Sequence, residues 1–153
     1  MARLMMHNAV ESLGNEILVA SNGHQAWDML TRTSVDVVVS DWMMPGVDGP
    51  ELCRRVRAQV DGRYTYFILL TTLADRRYAL EGMEAGADDY LPKPLDIGEL
   101  QLRLIAAQRI TQLHKELLER DLGHQGGDVL LVEIARRNPR VRARQRHGCS
   151  TRR

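Results

Sequence analysis

Three residues have types and spacings that could do chemistry together. Asp41 closes the apolar run "VDVVVSD" (35–41) and is followed at once by the turn "WMMPGVDG". Thr71 lies near the end of "YFILLTT" (66–72), and Lys93 ends "DDYLPK" (88–93), with Pro94 next. Thr71 follows Asp41 by 30 positions and Lys93 follows it by 52. Singly, each has an ordinary explanation: an Asp caps the next turn, a Thr satisfies nearby backbone, a Lys is solvated. Jointly they bring an anionic acceptor, a short hydrogen-bond donor and a cation to the ends of three successive strands. That set suits an aspartate that accepts a phosphoryl group whose oxygens are then held by Thr71 and Lys93.

The elements that must position them alternate. "EILVAS" (16–21) and the three runs above are short and apolar on consecutive residues, which suits strands buried on both faces of a parallel sheet. Helical stretches lie between them over 23–32, 50–60 and 74–85, and a long one starts near 96. Several open on Asn, Asp or Pro, and the one over 74–85 stops at Gly86. This alternation implies an open, doubly wound α/β sheet, in which ligands gather beyond the carboxyl ends of the strands. The last helix, to about Arg120, would be about 37 Å long. Apolar residues at 102, 105, 110, 113 and 117 give it a stripe too short to specify a coiled coil.

Composition narrows the class. The 153 residues are 44% hydrophobic and 27% charged, enough for one globular domain with a mostly aliphatic core. No run reaches the length of a membrane span, the start is a poor signal peptide, and two cysteines make no disulfide framework. A reducing, cytoplasmic setting is expected, with no membrane partner. The net charge of +1 hides a division: residues 1–121 carry a balance of −5 and residues 122–153 one of +6. The arginines of that tail lack interleaved lysines or aromatics, so specific nucleic-acid binding is not expected. The five histidines share no metal-ligand spacing, Cys53 reads as a packing residue, and nothing supports a free-standing enzyme.

At this point a family resemblance is specific. "SDWMMPGVDG", "LLTT" and "AGADDYLPKP", in register, resemble the receiver domain of two-component response regulators over roughly residues 3–110. The resemblance implies a flavodoxin-like fold and phosphorylation of Asp41 by a histidine kinase or phosphotransfer protein. Lys93 would pair with the phosphoryl group and would precede a cis peptide bond to Pro94. Thr71 would swing to the phosphoryl oxygen and Tyr90 would rotate inward behind it. That switch would alter the surface of the family's fourth helix, fifth strand and fifth helix, through which a homodimer could form. The backbone carbonyl of Met43 would help hold Mg²⁺. Thr72 stands where the family usually has a very small residue, which bears on access to the phosphoryl group.

One part of the pattern is missing at the amino end. The family's first strand ends in an acidic pair that holds Mg²⁺ with the phosphoacceptor, whereas here "ARLMMHNAVESLGNEILVASNG" aligns with the later part of the first helix and the second strand. Strand order 2-1-3-4-5 would leave a central gap, and Mg²⁺ binding would be weak or lost. Glu11 and Glu16 are not placed to substitute. Beyond a helical extension (111–120) and the breaker "DLGHQGGD" (121–128), "VLLVEIA" looks like one more strand, over 129–134. It reads as an exposed segment, as the start of a further receiver, or as a replacement first strand within this domain or exchanged with a partner. In the last case Glu133 would approach Asp41 as a metal ligand and Ile134 would take the second acidic position without its charge. The rest of 121–153 reads as linker and basic tail, with no fused output domain. Two functions stay open: a phosphoacceptor receiver, or a phosphorylation-independent pseudo-receiver that acts as an interaction or dimerisation module.

Overall fold

The computed structural model describes residues 2–60, 63–72, 76–118 and 128–132. Five parallel strands form one sheet: β1 (Glu16–Ala20), β2 (Val37–Asp41), β3 (Tyr66–Thr71), β4 (Asp89–Pro92) and β5 (Asp128–Val132). Five helices accompany them: α1 (Ala2–Glu11), α2 (Gly23–Arg32), α3 (Gly49–Ala58), α4 (Arg76–Glu84) and α5 (Ile97–Leu118). The helix starts follow local chemistry. Asn22 Oδ1 accepts the Gln25 N–H at 2.8 Å, Asp48 Oδ1 that of Glu51 at 2.8 Å, and Asp96 Oδ1 that of Glu99 at 3.0 Å.

The order of the strands is β1-β5-β2-β3-β4. The last strand in sequence therefore occupies the central slot between β1 and β2. It pairs with β1 from Glu16↔Asp128 to Ala20↔Val132 and with β2 from Val37↔Val129 to Ser40↔Val132. Of the readings of this segment, the one that sets it as a strand between the neighbours of a first strand matches the fold, over 128–132. Glu133 and Ile134, which the longer expectation included, lie outside the described residues, as does most of the basic tail.

Alternation along each strand divides the core in two. Val38, Phe67, Leu69, Leu130 and Val132 face Ala26 and Leu30 of α2, Leu52, Cys53 and Val56 of α3, and the α4 side. Val37, Val39, Ile68, Leu70, Val129 and Leu131 face Met6, Ala9 and Val10 of α1 and Leu100, Leu104 and Ala107 of α5. Both faces of the sheet are covered, which is why its strands read as unbroken apolar runs. Val129 to Val132 are buried to 2% exposure or less, each side chain contributing about 1.5–3 kcal/mol. Without β5, β1 has no strand partner among the described residues.

α5 runs about 33 Å at 1.5 Å per residue. Its far end is tied down just ahead of two strands. Lys115 Nζ meets Asp36 Oδ2 at 2.7 Å, and the His114 ring stacks on Tyr64 at 4.6 Å.

Candidate functional site

β2, β3 and β4 are consecutive in the sheet, so their carboxyl ends share one rim. Asp41 ends β2, Thr71 ends β3, and Lys93 follows β4 directly. The backbone fixes their spacing. Asp41 pairs with Leu70 in register, the Trp42 N–H donates to the Leu70 carbonyl at 2.8 Å, and the Lys93 N–H donates to the Thr71 carbonyl at 2.8 Å. The Lys93–Pro94 peptide is cis, as the family resemblance implied.

The side chains of Asp41 and Lys93 meet in an ion pair through Asp41 Oδ1. Asp41 is 7% exposed at its side chain and Lys93 34%, so a nearly buried anion is covered by a cation that still reaches solvent. Thr71 is buried beside them on the intervening strand. A carboxylate held this way can act as the acceptor for an electrophilic phosphorus. The ammonium and the strand-end hydroxyl are then placed for the oxygens that arrive.

The other expected residues take different positions. Tyr90 is 44% exposed on β4, an outward placement, and Thr72 is exposed at the rim. Met43 is also exposed. Glu133 lies outside the described residues. Mg²⁺ demands a near-octahedral shell of hard oxygens. Among the described residues no three His, Cys, Asp or Glu side chains come together as a metal-holding group. The Asp41 carboxylate already shares its charge with an ammonium. These residues alone offer the ion a sparse donor set.

Two arrangements escaped the sequence. Trp42, next to Asp41, is buried, edge-on to Tyr78 of α4 at 5.8 Å and 83°. At the opposite end of the strands Arg57 of α3 binds Gly86 O through Nε at 2.8 Å, Thr65 O through Nη1 at 2.7 Å and Asp88 Oδ2 through Nη2 at 2.7 Å. Asp88 also accepts from the Phe67 N–H at 2.8 Å and from the Tyr64 hydroxyl. Burial and this carboxylate push Tyr64 up to about 12, and burial pushes the Cys53 thiol up to about 11. These partners lie 8 to 31 positions apart, so no local pattern marks them.

The fold and rim define a class: a flavodoxin-like α/β domain with a buried aspartate, paired with a lysine, at the carboxyl end of a central strand. The family model described as the response regulator receiver domain matches residues 1–105, and the chain belongs to that family. Its sequence is 43% identical over 91 residues to response regulator RppA of Synechocystis, covering 58% of this chain and 38% of that one. It is 38% identical over 109 residues to the phosphate regulon transcriptional regulatory protein PhoB of Pseudomonas aeruginosa, covering 71% and 48%. The structure is similar to the receiver domain of the Francisella response regulator 1452, with a TM-score of 0.64 and 34% identity over 72% of this chain and 88% of that one. The chain thus spans less than half the length of these two curated relatives. Receiver domains are signalling modules of two-component systems. They interact with histidine kinases or phosphotransfer proteins and generally bind Mg²⁺ at the phosphorylation site. No described helix is long and apolar enough to cross a membrane.

Proposed function

We propose that this chain accepts a phosphoryl group on Asp41 from a histidine kinase or phosphotransfer protein. A carboxylate oxygen of Asp41 bonds to phosphorus as the P–N bond to the donor histidine breaks. The electron pair of that bond stays on the imidazole, and the product is an aspartyl phosphate. Lys93 holds the new oxygens by charge and Thr71 by hydrogen bond, and Tyr90 moves from its exposed position toward the space behind Thr71. The surface that changes is that of α4, β4 and α5, where a partner or a second copy binds. The observation that carries this reading is the Asp41–Lys93 ion pair at a buried rim.

Mg²⁺ assists weakly in this reading, because Asp41 and the Met43 carbonyl are a sparse donor set. Glu133 is the residue proposed to add a carboxylate. The scarcity of acids at the described rim favours a second reading, a pseudo-receiver that works as an interaction module without phosphorylation. One experiment separates them. Incubation with a radiolabelled small phosphodonor and Mg²⁺ gives base-labile label that Asp41→Asn abolishes. No label at any Mg²⁺ concentration leaves the interaction module.

A further inference from the structure

The residue after the phosphoacceptor is built into the seat of α4. Both backbone polar groups of Trp42 are held: its N–H donates to Leu70 O at 2.8 Å and its carbonyl accepts from the Gly49 N–H at 2.9 Å. At Gly49 a Cβ would lie 2.5 Å from the Asp41 carbonyl oxygen and 3.1 Å from Trp42 Cα, so α3 starts hard against this step of backbone. The indole itself is buried and runs under α4. There it meets the Tyr78 ring edge-on, and a Cβ added at Gly82 would lie 2.9 Å from its Cζ3 and 3.0 Å from Leu69 Cδ1. Only glycine lets the helix come this close.

Few described side chains of α4 are buried. Of its described side-chain positions Gly82 alone is buried, Tyr78 and Ala79 are half-buried, and Leu80 and Met83 point outward at 61% and 52% exposure. A helix seated on one indole, one aromatic edge and Leu69 has low local stability and responds to small shifts beneath it. That indole belongs to the residue whose backbone continues directly from Asp41.

We infer that Trp42 is a positioning residue that couples occupancy of Asp41 to the docking of α4, by a route separate from Thr71 and Tyr90. Adding a charged group to Asp41 draws Lys93 and the Asp41–Trp42 backbone into new positions. The rigid indole passes that displacement to Gly82 and Tyr78, and the apolar outer face of α4, Leu80 and Met83, is what a partner reads. This rests on the phosphoacceptor reading of Asp41 and adds to it the residue through which α4 responds.

Beryllofluoride, a stable mimic of a carboxylate-bound phosphoryl group, tests it on the full chain in Mg²⁺. Hydrogen exchange is followed over residues 76–84, with the fluorine NMR signal of bound beryllofluoride as the sign of binding in every variant. Beryllofluoride is expected to change exchange of this segment about fivefold or more, the low end of a typical coupling. In Trp42→Phe and in Gly82→Ala, each saturated with beryllofluoride, the change falls below twofold. In the double variant the smaller ring accommodates the added methyl and the response returns. If Gly82→Ala does not fold, Tyr78→Ala takes its place and loses the response likewise. A packing role alone would alter exchange equally with and without the mimic; that result, or a full response in both single variants, overturns the inference while the phosphoacceptor reading stands. Absence of any beryllofluoride binding to the unsubstituted chain overturns both.

Discussion

Asp41 and Lys93 belong to the ends of two strands that do not touch: β3 lies between β2 and β4, and the two side chains close over its end. The ion pair therefore spans three strands, and its geometry depends on the register Asp41↔Leu70 and Thr71↔Pro92. Removing one partner leaves a charge without its counter-ion at a site largely closed to water. Lys93→Met is expected to cost about 2 kcal/mol at neutral pH, below the 3–5 kcal/mol of a fully buried pair because the lysine is a third exposed. Asp41→Asn in the same chain recovers most of that loss, as urea unfolding of the four variants would register. Phosphoryl transfer is lost in all three substituted proteins.

The carboxyl-terminal strand is expected to be indispensable to the fold. Deleting residues 122–153 removes four buried aliphatic side chains and the strand partner of β1. Circular dichroism should show loss of a cooperative melt. A milder change, Leu130→Ala, is expected to cost about 3 kcal/mol through its cavity. An unchanged melting temperature after the deletion would mean that β5 does not occupy the central slot in solution.

Much of this architecture was legible because it is written locally. The strands over 66–71 and 37–41 are runs whose every residue is buried, and the start of α2 at residue 23 follows from Asn22. The rim triad was legible because a parallel sheet places strand ends together, so spacing along the chain maps onto position in space. The placement of β5 was only one of three readings. An apolar pentapeptide carries no record of which neighbours it will pair with, and here both neighbours, β1 and β2, lie far away in the sequence. Trp42 follows Asp41 at the rim, and nothing local in the sequence marks it as buried. Its burial depends on the approach of α4 permitted by a glycine 40 positions away.

The Arg57 clamp is expected to be a second stability centre, remote from the rim. Its guanidinium forks over two carbonyls and a carboxylate, and it lies over the Tyr64 ring at 4.9 Å. An ammonium cannot reproduce that fork. Arg57→Lys should therefore lower stability by about 2 kcal/mol while leaving phosphoryl acceptance at Asp41 within twofold; equal loss of both would tie the clamp to the site.

Stability toward alkali should carry the signature of buried neutral groups. Cys53 and Tyr64 have folded pKa values of about 11 and 12, above their ordinary 9 and 10, chiefly through burial. Tyr66 is raised by burial as well. A raised pKa means that the fold favours the protonated form. The associated stability is complete below the unfolded values and is lost as pH climbs from about 9 through 12. Denaturant midpoints should be level from pH 7 to 8.5 and fall above 9. Cys53→Ala, compared at each pH with its own neutral value, should delay the onset of that fall, and Tyr64→Phe should flatten its upper part.

Mg²⁺ dependence tests the sparse donor set at the rim. A hard dication held as proposed, by one carboxylate already paired with Lys93 and a main-chain carbonyl, would keep most of its waters and bind weakly. Phosphorylation of Asp41 by a small phosphodonor should then rise with Mg²⁺ without saturating until several millimolar, an order-of-magnitude expectation for so few protein ligands. Removing the ion with a chelator should reduce the rate and leave the melting temperature within about 1 °C, since little binding energy is linked to folding at these concentrations. Glu133 follows Val132 directly in the sequence. If it supplies a second carboxylate, Glu133→Gln moves the Mg²⁺ midpoint upward severalfold, and an unchanged midpoint removes Glu133 from the site while leaving Asp41 and Lys93 in place.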